Sequence, residues 1–184
     1  MKNLKADIQR YYELAGNEMP CSKLKLILSC FLPRMLPVVL LRGSEFFYGY
    51  RLGMIAKFLS MLNVVLFGIE VSPKVKIGGG LFLPHTVGTV LGAEIIGNNV
   101  TIMQGVTLGA KEPDMAFIAS RRPVIGNNVV IGAGAKIIGR VKIGDFVKIG
   151  ANAVVISDIP AHSVAVGIPA KVVRKKVVID ESGD

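Results

Sequence analysis

The sequence predicts a mainly β protein, built as a parallel β-helix that follows a short helical region. Three observations predict this fold: an aliphatic residue that recurs every six positions, glycine or asparagine close behind it, and a proline-broken stretch before Gly68. A period of six fits neither an amphipathic helix nor a simple alternating strand. It fits short strands that each end in a corner, with three hexapeptides in one triangular coil.

The repeat predicts which side chains point inward. The downstream positions are Ile125, Ile131, Ile137, Ile143, Ile149 and Val155. The upstream positions are Val71, Ile77 and Leu83, followed after a slip by Val90, Ile96, Ile102 and Leu108. Glycine and asparagine tolerate the backbone angles that tight corners demand. We therefore expect the aliphatic side chains of successive coils to stack into one core.

The period fails from Gly109 to Pro123, which predicts a loop extruded from the coil. This segment carries five charged residues, whereas the neighbouring coils carry almost none. Long loops on rigid scaffolds tend to be functional. The expected organisation is a helical region over 1–67, a β-helix over 68–176 with its loop at 109–123, and a tail over 177–184.

The region before Gly68 is predicted to form short helices, because prolines interrupt it at positions 20, 33 and 37. ADIQRYYELAG indicates a first helix that ends at Gly16, and the stretch 43–67 indicates one or two more. Their apolar residues exceed what one helical layer could bury. We expect them to pack against the first coil or against another subunit.

Composition narrows the functional classes. The 184 residues are 51% hydrophobic and carry a net charge of +9, which favours an anionic partner. The start of the chain lacks the apolar core of a signal peptide, and no apolar run reaches the roughly 20 residues of a spanning helix, so a cytoplasmic protein is expected. Peripheral membrane contact through LKLILSCFLPRMLPVVLLRG stays open. Nucleic-acid binding is not expected, because no basic cluster is interleaved with aromatic residues.

His85 is the first candidate catalytic residue, since it stands among glycines and aliphatic residues in GGGLFLPHTVGTVLG. Imidazole, with an ordinary pKa of about 6.5, can remove a proton from an alcohol that attacks a thioester. A carboxylate behind the ring would fix its tautomer and stabilise the imidazolium. The alternative is a solvated corner residue without a chemical role.

Four stretches resemble, in order, the serine O-acetyltransferase branch of the hexapeptide acyltransferases. They are GIEVSPKVKIGGGLFLPHTVGTVLG, NNVTIMQGVTLG, RRPVIGNNVVIGAGAKIIG and KIGANAVVISDIPAHSVAVGIPAKVV, and together they lie within about residues 68–175. The resemblance implies a left-handed coil and a homotrimer or a dimer of trimers. It also implies acetyl-CoA as co-substrate, with no metal.

The resemblance implies roles for individual residues. His85 is implied as the general base, and Glu70, fifteen positions earlier in place of the usual aspartate, as the carboxylate that orients it. The residues implied in coenzyme A binding are Gly109, Ala110, Ala133, Ala151, Lys171, Arg174 and Lys175. The alternative for the last three is a solvated basic tail. His162 is expected to be structural.

The acceptor site departs from the family pattern. Pro84 replaces the aspartate before the histidine, and Arg122, preceded by Arg121, replaces a second histidine. Loss of the acid removes a charge-assisted contact to an amino-acid ammonium, worth about 1.5–3 kcal/mol. We therefore expect these three residues to line a site for a sugar or glycan intermediate of surface-polysaccharide biosynthesis. The alternative acceptor is L-serine.

The sequence also bears on two other functional classes, a zinc enzyme and an inactive scaffold. A γ-type carbonic anhydrase is excluded, because its zinc needs three histidines and this chain has two. A catalytically inactive scaffold remains an alternative, and it predicts that His85→Ala changes no measurable property.

Overall fold

The computed structural model describes residues 2–20, 22–114 and 116–175. Four helices come first: α1 (Lys2–Leu14), α2 (Lys23–Ser29), α3 (Leu36–Gly49) and α4 (Gly53–Phe67). The prolines separate the helices as predicted, and Pro37 lies in the first turn of α3, where a missing N–H is tolerated. No helix within these described ranges is long and apolar enough to cross a membrane.

After the helices, the described chain forms short strands and one 3₁₀ turn, which are joined by turns and loops. The strands are β1 (Ile69–Val71), β2 (Lys76–Ile77), β3 (Thr89–Leu91), β4 (Ile95–Ile96), β5 (Thr101–Ile102), β6 (Thr107–Gly109), β7 (Val124–Ile125), β8 (Val130–Ile131), β9 (Lys136–Ile138), β10 (Lys142–Ile143), β11 (Lys148–Ile149), β12 (Val154–Val155), β13 (Ser163–Gly167) and β14 (Ala170–Lys175). The 3₁₀ turn spans Ala119–Arg121 within the loop that the sequence predicts.

The strands stack into the three faces of a triangular prism. Face A is β1-β3-β6-β9-β12, face B is β2-β4-β7-β10, and face C is β5-β8-β11-β13-β14. Strand pairs are parallel except the final hairpin of β13 with β14. The chain passes from face A to B to C and back again, as in the predicted left-handed parallel β-helix. We name the corners A–B, B–C and C–A after the faces they join.

The core is the stack of aliphatic side chains that the period predicts. The downstream positions from Ile125 to Val155 are all at most 3% exposed, and Ile96, Ile102 and Leu108 are fully buried. Each coil therefore covers the apolar layer of the coil before it, which removes this surface from water. The stacked side chains are themselves the hydrophobic core of the prism.

The prediction for Val90 is wrong. Its side chain is only half-buried, and the neighbouring Leu91 enters the stack, paired in register with Val71 and Leu108. The cause is the corner before β3, because eight positions separate Leu83 from Leu91 instead of six. This corner is two residues longer than an ordinary one, and it contains His85.

A buried ion pair fastens the helices to the first coil. The Arg42 guanidinium in α3 binds both carboxylate oxygens of Asp7 in α1, at 2.8 and 3.0 Å. It also donates to the Ile77 and Gly78 carbonyls at 2.8 and 2.5 Å, while Asp7 accepts the Leu81 N–H at 2.8 Å. The expected packing of helices against the coil is thus fixed at this point by charge-assisted hydrogen bonds.

Candidate active site

His85 lies in the enlarged C–A corner, with its side chain exposed. The next residue ties the corner to the end of α4, since the Thr86 hydroxyl donates to the Phe67 carbonyl at 2.7 Å. The Gly88 N–H donates to the Gly68 carbonyl at 2.9 Å. Gly88 has a φ of +73°, which the turn back into face A requires. A fixed backbone therefore presents a solvent-accessible imidazole.

Glu70 lies nearby on the outer surface of face A. Its strand, β1, alternates buried, exposed and buried, so the carboxylate points away from the core. Its backbone partner is Val90 in β3, the strand that follows the His85 corner. Within the described ranges the structure has no hydrogen bond or ion pair between Glu70 and His85. The orienting role of Glu70 therefore stays a prediction.

A ladder of backbone hydrogen bonds extends the C–A corner from His85 toward the end of the chain. Each rung measures 2.8 to 3.0 Å and joins one coil to the next. The rungs run from Gly88 to Gly68, from Gly105 to Val87, from Gly134 to Gln104, and from Asn152 to Ala133. The predicted coenzyme A residues Ala133 and Ala151 therefore lie on the same edge of the prism as His85.

Two further predicted coenzyme A residues, Gly109 and Ala110, lie at the A–B corner. Gly109 ends β6, and its carbonyl accepts the Gly139 N–H at 2.8 Å. Beside it a cavity of about 490 Å³ is lined by Ala110, Arg121 and Arg140, among others. Ala110 and Arg121 thus share one cavity, but face A separates this corner from the His85 corner.

Arg122 does not present the free guanidinium that the acceptor prediction requires. It is buried, donates to the Gly92 carbonyl at 2.9 Å and contacts an Asp114 carboxylate oxygen at 3.1 Å. The guanidinium carbon also lies 4.1 Å from the centre of the Phe117 ring. Arg122 holds the loop against the coil, and only Arg121 is exposed.

The contact between Arg122 and Asp114, which we call the latch, also changes the pKa of the Asp114 carboxyl. Burial opposes ionisation of Asp114, but hydrogen bonds from the Ile118 N–H and the Arg122 guanidinium outweigh it. The pKa of Asp114 is therefore lowered from its ordinary value. The sequence alone does not predict this latch. Its only signal is an acidic and a basic residue eight positions apart inside the segment that breaks the period.

The basic end of the described chain lies on face C. Lys171 and Arg174 are exposed on β14, paired with Val166 and Val164 of β13. The side chain of Lys175 lies outside the described residues. Lys171 lies toward the end of β13 that borders the C–A corner, whereas Arg174 lines a cavity with Phe146 and His162 at the B–C corner.

His162 occupies the opposite B–C corner. Its ring stacks on Phe146 with centroids 4.8 Å apart and planes 12° from parallel, and its φ is +58°. It belongs to the turn of the last coil, as expected of a structural residue. Within the described ranges no group of three His, Cys, Asp or Glu side chains could hold a metal ion.

Comparison with known proteins gives this geometry its context. Residues 122–157 match the bacterial transferase hexapeptide (six repeats) family. A serine acetyltransferase of Helicobacter pylori is 42% identical over 170 residues, which cover 92% of this chain and 98% of that protein. The chain belongs to the serine acetyltransferase family. A family member from Synechococcus elongatus is 39% identical, over 83% of this chain and 61% of its own length.

Solved serine acetyltransferases share the fold. The Neisseria gonorrhoeae enzyme superposes with a TM-score of 0.80 and 33% identity, over 96% of this chain and 66% of that one. Its complex with serine gives 0.77 and 34%, over 94% and 68%. A Brucella abortus serine acetyltransferase in complex with coenzyme A gives 0.80 and 29%, over 96% and 68%. As a member of this family, the chain is an acetyltransferase of the hexapeptide class.

Proposed function

We propose that the chain transfers the acetyl group of acetyl-CoA to the side-chain hydroxyl of L-serine. The observation that carries this proposal is the match to serine acetyltransferases along 92% of the chain. The complexes of related enzymes with serine and with coenzyme A support both substrates. No metal enters the proposed reaction.

In the proposed reaction His85 is the general base. Its imidazole takes the hydroxyl proton as the serine oxygen bonds to the thioester carbonyl carbon. The carbon–sulfur bond then breaks, and the thiolate of coenzyme A receives the proton from the imidazolium. The products are O-acetylserine and free coenzyme A, without an acyl-enzyme. The Glu70 carboxylate would orient the imidazole of His85 once it moves within hydrogen-bond distance of the ring. A carboxylate does this in other enzymes that use histidine as a general base.

The proposed site is shared between two copies of the chain. His85, Ala133 and Ala151 lie along the C–A corner, whereas Ala110 and Arg121 lie at the A–B corner. In a trimer of parallel prisms, the C–A corner of one copy borders the A–B corner of the next. The groove between them would hold coenzyme A, with Lys171 near its phosphates. The predicted role of Arg174 is not supported, because this residue lines a cavity at the B–C corner.

Within this groove Pro84 remains the feature that favours a sugar acceptor, because it leaves no acid beside His85 for the serine ammonium. The other argument for a sugar, a pair of free guanidinium groups, loses Arg122 to the latch with Asp114. The relatives described above are named for serine. The pairing of Arg122 and the names of the relatives support L-serine as acceptor, and they outweigh the argument from Pro84 for a sugar or glycan.

An acceptor screen tests the proposal. The purified chain is given acetyl-CoA with L-serine, with nucleotide sugars or with free glycans, and thiol release is followed alongside product mass. We expect thiol release with L-serine and a product heavier by one acetyl group. Release with sugars and none with L-serine would overturn the serine proposal while leaving the acetyltransferase chemistry in place.

A further inference from the structure

Helix α2 packs on the protein through Ser29 and Leu26, together with Cys30 at its end. Ser29 is buried, and its hydroxyl donates to the Lys25 carbonyl at 2.8 Å and contacts the Tyr12 hydroxyl at 2.9 Å. Leu26 and Cys30 on the same side pack partly against the core. The inward side of the helix is therefore already occupied.

The outward side is the more apolar one. Leu24, Ile27, Leu28 and Phe31 are 66%, 59%, 57% and 69% exposed. Leu24, Ile27 and Leu28 lie on one side of α2, since they are three and four positions apart, and Phe31 follows in the turn just after the helix. We call these four residues the α2 face. An ordinary surface helix turns its apolar stripe toward the core and its polar side to water. Here the arrangement is reversed, and a contiguous exposed apolar patch marks an interaction surface.

The charged residues in the stretch of sequence that carries the α2 face all have one sign. Lys23, Lys25 and Arg34 are exposed beside it. No acidic residue occurs between Glu18 and Glu45. An amphipathic segment with apolar side chains on one stripe and only cations at its edge has the chemistry of a helix that lies on an anionic lipid surface.

We propose that the α2 face docks the protein onto an anionic membrane surface, with the four apolar side chains entering the headgroup region. A second copy of this chain fits the face less well, because pairing would bring like charges together. Four side chains also fall short of the roughly 800 Å² that each partner buries in a stable protein interface. This inference does not depend on which alcohol is acetylated.

Liposome flotation tests the proposal with the full chain. We expect the wild type to float with vesicles that contain about a third phosphatidylglycerol, and not with pure phosphatidylcholine. The variant Leu24→Ser/Ile27→Ser/Leu28→Ser/Phe31→Ser should lose flotation but keep its circular dichroism and thiol release, because these side chains are exposed. A matched control is Met54→Ser/Phe58→Ser/Met61→Ser/Val65→Ser, which alters four exposed apolar residues of α4. The control should float like the wild type.

Charge is tested separately. Replacing Lys23, Lys25 and Arg34 one at a time with serine should weaken vesicle binding about fivefold each, and added salt should have the same direction of effect. Equal flotation of wild type and the α2 variant would overturn the proposal. So would a loss in the α4 control equal to that in the α2 variant. A change in sedimentation coefficient confined to the α2 variant would assign the face to a subunit contact instead.

Discussion

The imidazole of His85 projects from a corner whose backbone is held on both sides, by the Thr86 hydroxyl bond to Phe67 and by the Gly88 bond to Gly68. Because the side chain is exposed, truncating it removes no core contact. We expect His85→Ala to lower kcat with L-serine by at least about 100-fold, the usual scale of general-base catalysis. Steady-state thiol release measures this, with circular dichroism as the folding control. Unchanged turnover would leave only the scaffold interpretation.

Glu70 is predicted to act through His85, so its substitution should have a different signature. Glu70→Gln should lower kcat less than His85→Ala does, with little change in KM for either substrate, because no substrate contact is lost. Glu70→Asp restores the carboxylate and should recover part of the activity. If Gln and Asp variants are equally impaired, the charge is irrelevant and the orienting role is wrong.

Single residues also show where sequence reasoning succeeds. The inward aliphatic residues were predictable because each follows from a local period that every coil repeats. The inward prediction for Val90 is wrong, because the slip in the period indicates one extra residue in the corner before it, whereas the structure has two. The sequence does not predict that Arg122 is buried and paired, because its partners, Asp114, Phe117 and the Gly92 carbonyl, meet only through the folded loop.

Among the elements, the loop over 109–123 depends on the Asp114 carboxylate. The folded pKa of this acid is lowered, so its ionised form stabilises the folded loop above the ordinary value of 3.8, and this stability is lost as pH falls through the lowered pKa. We expect the Ile118 amide, which donates to Asp114 at 2.6 Å, to lose protection from hydrogen exchange in that acidic window. Exchange rates are corrected for the intrinsic effect of pH.

Two comparisons sharpen the loop experiment. In Asp114→Asn the Ile118 amide should exchange quickly already at neutral pH. The Gly139 amide, which donates to the Gly109 carbonyl on the coil, serves as the control and should stay protected in both proteins. Protection of Ile118 that is the same in wild type and Asp114→Asn would show that the latch does not hold the loop.

The helices and the coil are joined by the Arg42–Asp7 pair. Asp7→Asn leaves the buried Arg42 guanidinium with Glu45, 2.8 Å away, as its remaining charge partner, so we expect a cost of at most about 3–5 kcal/mol, the cost seen when a buried pair is broken completely. The exposed Arg10–Glu13 pair, 3.6 Å apart, provides a control, because Glu13→Gln should cost at most about 1 kcal/mol. Urea unfolding at one fixed protein concentration measures both. Equal midpoints for the two variants would contradict a fastening role for Arg42.

At the scale of the whole molecule, the division of site residues between two corners makes a subunit-mixing experiment decisive. His85→Ala and Arg121→Ala should each be strongly impaired as pure proteins. In the proposed trimer an intact groove would need His85 from one copy and Arg121 from the next, so co-expression of the two variants in equal amounts should recover about a quarter of wild-type sites. No recovery on mixing, with both proteins folded, would mean that each copy carries a whole site.

The long corner between Leu83 and Leu91 gives a way to separate the scaffold from the chemistry. Most other intervals between inward side chains are six residues, so an interval trimmed from eight residues to six would resemble an ordinary corner of the coil. Such a chain should keep its stacked interior and its melting temperature while drawing the imidazole back from the surface. The two extra residues at this turn would then account for the exposed imidazole, while the remaining coils account for the scaffold.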